Sequence, residues 1–351
     1  MSVKHVLHKW YQRHLDKPEA VVFILFLLII ILILVALGDI LLPLIIAIVL
    51  AYLLEWPVTW LRRCGINRTI SVLVIFTIFI SLMATVGILF IPVLKQQLAA
   101  LIHNLPDMFA EGKKLLISLK NDYPNYITND QVAGLVDYVK NFGQLVGQNL
   151  LSFSINSIGN ILTVMFYLFL VPMLAFFLLK DKELFIKKAS AHMPEESSLI
   201  YNVWNEVHIG LGNYIRGKFL EAFILTVVTY VLLISFGLQY AALLSVLVGL
   251  SIFFPYIGAI IVTIPIAIVG LFQMGLSSEF MWLMVAYLIL QILDGNVLAT
   301  IIFSEAINMH PIVIILAIML FGGLFGFWGV FFAIPLAILV KAVINLWPSY
   351  K

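Results

Sequence analysis

Asp294 stands in the run LQILDGNVL, with apolar residues on both sides. An ionised carboxylate at the centre of a membrane span costs about 2.5–3.5 kcal/mol on insertion scales. Such an acid therefore has to face protein, water or an ion. Gln291 precedes it by about one helical turn, Asn296 follows two residues later, and Gly295 between them offers a place for a helix to unwind. An acid, two amides and a glycine in a greasy segment fit a coupling-ion, proton or substrate site. The plainer alternative is a buried acid that caps a broken helix or sits in a shallow loop. His310-Pro311 reads as the start of the last long helix, with Asn308 as a candidate cap and the imidazole as a possible proton relay. Arg216 fits an interfacial anchor near the cytoplasmic side.

Two further motifs break apolar runs. FFPYIGA (253–259) contains Pro255 and Gly258, and GGLFGFWG (322–329) contains Gly322, Gly326 and Gly329. Half-helix ends expose N–H and C=O groups that can bind ions or solutes. Gly322 and Gly326 also form a GxxxG pattern suited to close helix packing.

Several enzyme chemistries are absent. There is no HExxH and no GxSxG, and the single cysteine, Cys64, excludes an internal disulfide and a multi-thiolate metal site. The seven histidines form no metal-spaced cluster. Gly212–Lys218 matches the first seven positions of a P-loop, but Phe219 stands where Ser or Thr must hold magnesium, and no strand precedes it. No cofactor, no metal and no enzymatic activity are expected, and the net charge of +2 implies no nucleic-acid partner.

The elements that must position these residues are membrane helices. Hydrophobic residues make up 63% of the 351 and charged residues 11%, against about 25% in soluble domains. Mean hydropathy is +1.11. A chain this apolar has to bury much of its exterior in a lipid bilayer. Residues 20–38, 40–54, 69–94 and 155–179 are apolar, and Gly38-Asp39 reads as a tight turn between the first two. Residues 222–278 carry no formal charge. The stretch 240–272 would make a helix of ~50 Å against a slab of ~30 Å, so it must tilt, kink or split at FFPYIG. The stretch 309–345 poses the same problem at its glycine run. From a start near Phe280, Asp294 lies ~21 Å along its helix.

The fold class is all-α: a polytopic membrane protein of about eight transmembrane helices, two of them broken or re-entrant, with a small helical extracytoplasmic lobe. The expected divisions are 1–94 as an N-terminal three-helix part, 95–154 as the lobe, and 155–180 as a fourth span. They continue with 181–218 as a cytoplasmic amphipathic segment and 219–351 as the C-terminal core. In the lobe, Leu98, Leu101, Ile102 and Leu105 share one helical face, and Leu135, Val139, Phe142 and Val146 another. In the cytoplasmic segment Leu199, Val203, Val207, Leu211 and Ile215 recur every four residues, as in a helix lying against the membrane and the bundle. With the N-terminus inside, fifteen basic residues are cytoplasmic and five external, as the positive-inside rule requires. Both termini are then cytoplasmic.

YIRGK (214–218), FFPYIGA, DGNVL (294–298), SEAINMHP (304–311) and GGLFGFWGVFFAIPLAILVKAV (322–343) together resemble the autoinducer-2 exporter family, in its PerM-type branch. The resemblance covers nearly the whole chain and is densest after residue 200. It implies about eight membrane helices, a bacterial inner-membrane location, and a homo-oligomer, with pentamers proposed for relatives. It carries the family pattern onto Pro255, Gly258, Asp294, Gly295, Asn296, His310, Pro311, Gly326, Gly329 and Pro335. One departure stands at Thr300, where the family usually has proline.

Three functions fit. The first is a secondary permease or exporter of a small solute, with ion coupling as an option. The second is a sodium (lithium)/proton antiporter exchanging at Asp294, and the third a non-transporting scaffold that binds partners through 95–150.

Overall fold

The computed structural model describes residues 18–122, 134, 163–191, 198–298, 301–302 and 309–346. Every regular element among them is helical. In chain order these are α1 (Pro18–Arg63), α2 (Arg68–Asp122), α3 (Thr163–Lys180), α4 (Lys182–Ala191), α5 (Ser198–Ser235), α6 (Ala241–Ser251), α7 (Ile257–Met274) and α8 (Ser278–Leu293). A π-helical turn (Asp294–Leu298), α9 (Pro311–Phe331) and α10 (Ala333–Leu346) follow. Seven of these helices contain a stretch long and apolar enough to cross a membrane. The all-α polytopic fold read from the sequence is the observed one.

The main departure is at Gly38-Asp39. α1 runs unbroken through these residues instead of turning there. One glycine costs a helix interior only about 1 kcal/mol, and the Ile- and Leu-rich flanks outweigh it. Lys95 likewise lies inside the 55-residue α2. Lys218 lies inside α5. These charges mark changes in surroundings along continuous helices. The lobe helix expected after residue 130 falls outside the described residues, save for the helical residue 134.

The chain forms two compact units, 1–79 with 167–219 and 299–351, and 80–166 with 220–298. In the first, Leu54, Val58, Val72 and Leu179 make a buried cluster, and Ala47, Val171 and Ala175 another. Arg68 ties this bundle together. Its Nε donates to the Leu179 and Lys180 carbonyls at the end of α3, at 3.1 and 3.2 Å. Its Nη2 reaches Glu55 at 3.3 Å, and Glu55 also takes Lys182 at 3.1 Å. A cation on the last carbonyls of a helix satisfies orphan acceptors and opposes the helix dipole. The amphipathic stretch of α5 packs Val203 and Val207 against Ala342, Leu339 and Val343 of α10. Its apolar stripe therefore serves a protein partner.

The second unit has the larger core, built from Leu225, Leu233, Leu244, Val248, Ile266, Leu283 and Tyr287 among others. Leu101, Leu105 and Met108 of α2 pack on it, while Leu98 of the same expected face stays exposed. Many large apolar side chains remain exposed in both units, among them Leu168, Phe169, Ile260 and Trp282. In a chain of this composition that surface faces lipid.

Candidate transport site

Ser277 starts α8, its hydroxyl accepting from the Phe280 N–H at 3.3 Å, and Glu279 sits favourably in the first turn. Leu283 and Tyr287, four residues apart, are fully buried. The next positions on this face are Gln291 and Asp294, so the stripe turns from apolar to polar towards the end of the helix. Gln291 Nε2 donates to the Tyr287 hydroxyl at 2.6 Å. The Tyr287 hydroxyl also lies against the side chain of Thr263 on α7. Thr263 Oγ1 spends its own proton on the Ala259 carbonyl at 2.7 Å. Gln291 therefore donates to Tyr287, whose hydroxyl lies against Thr263, and Thr263 donates to the backbone of α7. This relay runs through an otherwise apolar core, where unmade hydrogen bonds are expensive.

At Asp294 the α-helix gives way to the π turn. Such turns leave a carbonyl without its usual partner and recur at functional sites. Here Asn296 Nδ2 reaches back to the Ile292 carbonyl at 2.8 Å. Asp294 is partly buried, with Oδ1 withdrawn from the surface. Gly295 and Asn296 are exposed. The unwinding expected at Gly295 takes the form of a widened turn.

The break expected in 240–272 lies at 252–256 and belongs to the same unit. α6 has only 11 residues, about 16 Å, roughly half the hydrocarbon slab. Its N-terminus is capped from another helix: the Leu243 N–H donates to Gln97 Oε1 of α2 at 2.8 Å. Its far end meets a tight reversal. The Ile257 N–H bonds the Pro255 carbonyl at 2.7 Å across Tyr256, which sits at φ 63°, ψ −50°. That is a positive-φ γ-turn, a rare and strained conformation for a side chain of this size. Gly258 follows, and any Cβ there would collide with the Ser251 carbonyl. Only glycine permits α7 to leave so close to the end of α6.

The second expected break lies in the other unit. His310 is itself the N-cap of α9, its Nδ1 accepting from the Ile312 N–H at 3.3 Å, with Pro311 at the first helical position. The candidate cap Asn308 falls outside the described residues. Gly326 has φ 58°, ψ −135°, which interrupts the helix. A Cβ on Gly329 would strike the Phe321 carbonyl, and one on Gly322 would come within 2.9 Å of Val330 Cγ2. The end of α9 thus folds back on itself, with Trp328 stacked on Phe332. Pro335 lies in the first turn of α10, where a missing N–H does no harm. Arg216 folds along its own helix, donating to the Gly212 carbonyl at 3.0 Å and to Asn213 Oδ1 at 2.7 Å.

The structure therefore gathers Gln291, Asp294, Gly295 and Asn296 at the end of α8 and in the π turn that follows it, in the same unit as Pro255 and Gly258. His310, Gly322, Gly326, Gly329 and Pro335 belong to the other unit. Reading the sequence missed Tyr287 and Thr263. The available signal was the four-residue spacing from Tyr287 to Gln291, which puts a hydroxyl under an amide. Among the described residues no group of three or more His, Cys, Asp or Glu could hold a metal.

An all-helical, lipid-exposed chain with interrupted helices and a polar relay inside its core has the build of a membrane transporter. The chain belongs to the AI-2E transporter family: the model of that family, described as AI-2E family transporter, matches residues 22–349. It is 40% identical to the proposed permease PerM of Escherichia coli (strain K12), over 98% of each chain. It is 31% identical to the proposed transport protein YrrI of Bacillus subtilis (strain 168), over 86% of this chain and 84% of that one. It is 26% identical to YueF, a proposed transport protein of the same strain, over 86% and 82%. The chain is accordingly a multi-pass membrane transporter.

Proposed function

We propose that this protein is a secondary permease or exporter of a small solute in the bacterial inner membrane, with Asp294 and Asn296 beside the translocation path. The observation that carries the reading is the continuity of the polar groups. The Gln291–Tyr287–Thr263 relay begins one turn from the π turn and ends at Ala259, next to the strained reversal. Polar groups this deep in a membrane protein are costly and are retained mainly where a solute or ion passes.

The test is flux into liposomes containing the purified protein, screened against monovalent cations and small sugars. With a transported solute identified, Asp294→Asn is expected to remove most of the flux while leaving the thermal unfolding midpoint in detergent unchanged. Wild-type flux in Asp294→Asn sinks the reading. The partly buried carboxylate also supports sodium (lithium)/proton antiport. That reading requires cation-driven proton exchange in the same vesicles and its complete loss in Asp294→Asn. Assembly as a homo-oligomer is part of the same proposal, and crosslinking in native membranes tests it.

A further inference from the structure

Three charge-free runs meet at one corner of the first unit. In α1 the run 40–54 ends at Glu55, and in α3 the run 163–179 ends at Lys180. In α2 the charge-free run begins at Thr69, directly after Arg68. Arg68 joins the three helices there, through Glu55 of α1 and the Leu179 and Lys180 carbonyls of α3. Apolar runs that end together mark where hydrocarbon gives way to headgroups.

Cations outnumber acids at this corner. Glu55 takes Arg68 at 3.3 Å and Lys182 at 3.1 Å. Glu183, in the first turn of α4, takes Arg62 at 2.9 Å and Arg68 at 3.6 Å. The segments 55–68 and 180–188 hold seven Lys and Arg against three Asp and Glu, an excess of four positive charges. Arg63, Lys187 and Lys188 are exposed. Large apolar side chains stand beside them. Trp56, Trp60 and Arg63 share one face of α1, and the two indoles are 62% and 58% exposed. In α4, Leu184, Phe185 and Ile186 are exposed immediately before Lys187 and Lys188. The Arg62–Glu183 bond brings the two helices together. By contrast, the exposed Leu168 and Phe169 of α3 lie in a run with no formal charge, a surface suited to acyl chains alone.

Indole rings favour the boundary between acyl chains and headgroups, and an excess of Lys and Arg there attracts anionic headgroups. A helix with apolar side chains beside a pair of lysines suits the same boundary. A soluble acidic partner would match the charge but not the position of five large apolar side chains at the edge of the hydrocarbon. A zwitterionic lipid would cover those side chains and leave the charge unanswered. We infer that this corner is a docking site for anionic phospholipid. The lipid phosphates meet Arg63, Lys187 and Lys188, and the acyl chains cover Trp56, Trp60 and Phe185. The inference needs no transported solute and holds on either face of the membrane.

The experiment is quenching of tryptophan fluorescence by brominated lipid chains, with the full-length protein in vesicles. Two mixtures of phosphatidylglycerol and phosphatidylcholine are compared, one with the first lipid brominated and one with the second. The ratio of quenching gives the preference for anionic lipid. The contribution of Trp56 and Trp60 is the difference between the wild type and Trp56→Phe/Trp60→Phe. For that contribution phosphatidylglycerol should be preferred about fivefold or more at low salt, and the preference should shrink at high salt. Arg63→Gln/Lys187→Gln/Lys188→Gln should bring the preference close to one. Its unfolding midpoint in phosphatidylcholine should be unchanged, because all three side chains are exposed. A preference near one in the wild type overturns the inference and gives the corner to an acidic soluble partner. A wild-type preference in the triple variant also overturns it. If the triple variant does not accumulate, the salt series decides: a preference unmoved by salt overturns the site. Loss of the preference on adding inorganic phosphate at constant ionic strength overturns it too, because the corner would then bind the free anion.

Discussion

At 252–258 the chain reverses through Tyr256, a bulky side chain held at φ 63°; at 326–332 it does so through Gly326 at φ 58°. Both reversals end on a glycine whose hydrogen faces a backbone carbonyl, Gly258 on Ser251 and Gly329 on Phe321. The steric problem is shared and its solutions differ. In the second reversal glycine takes the positive φ at no cost, and the rings of Trp328, Phe331 and Phe332 pack around it. In the first, a tyrosine bears the strain, and the segment leads into the Thr263–Tyr287–Gln291 relay. Strain kept where glycine would remove it marks a place whose conformation matters beyond packing.

The comparison can be broken at its strongest point first. Gly258→Ala and Gly329→Ala should both lose about 3 kcal/mol or more, seen as failure to accumulate in membranes or a large drop in unfolding midpoint. A tolerated alanine at either site removes the claimed parallel. Gly326→Ala should cost about 1–3 kcal/mol, the penalty of forcing an L-residue into that region. Tyr287→Phe removes one hydroxyl from the relay and should cost about 1–2 kcal/mol; if the relay also serves transport, flux should fall by more than the unfolding midpoint predicts. The smallest effect has the opposite sign. Tyr256→Gly relieves the γ-turn and should raise stability by up to about 1 kcal/mol while reducing flux. A destabilised Tyr256→Gly would show that the ring's packing, not its backbone, explains its place.

What the sequence discloses here depends on how local the cause is. FFPYIG and FGGLFGFWG are legible as breaks because proline and glycine act within a few residues, and a helix of ~50 Å cannot stand upright in a slab of ~30 Å. The run LQILDGNVL shows its polar patch for the same reason. Gly38-Asp39 misleads because its turn signal is weak against forty-odd helix-forming neighbours, so α1 continues through it. The relay is invisible because half of it lies on another helix: nothing near Tyr287 in the chain announces Thr263. Glu221 reads only as the last charge before a long uncharged run, yet it is buried. Packing between distant segments decides depth, and composition alone does not carry it.

The turn ahead of α6 is fastened by amides. Gln97 accepts from the Leu243 N–H, Asn104 Nδ2 donates to the Tyr240 hydroxyl at 2.8 Å, and Gln273 bonds both the Gln239 N–H and the Gly237 carbonyl at 2.7 Å. The side-chain amides carry no charge to titrate, and ionic strength screens their hydrogen bonds little. The amide bonds of this corner will hold their grip equally in acid or brine. Any response of the second unit to acidity must therefore begin away from this fastening.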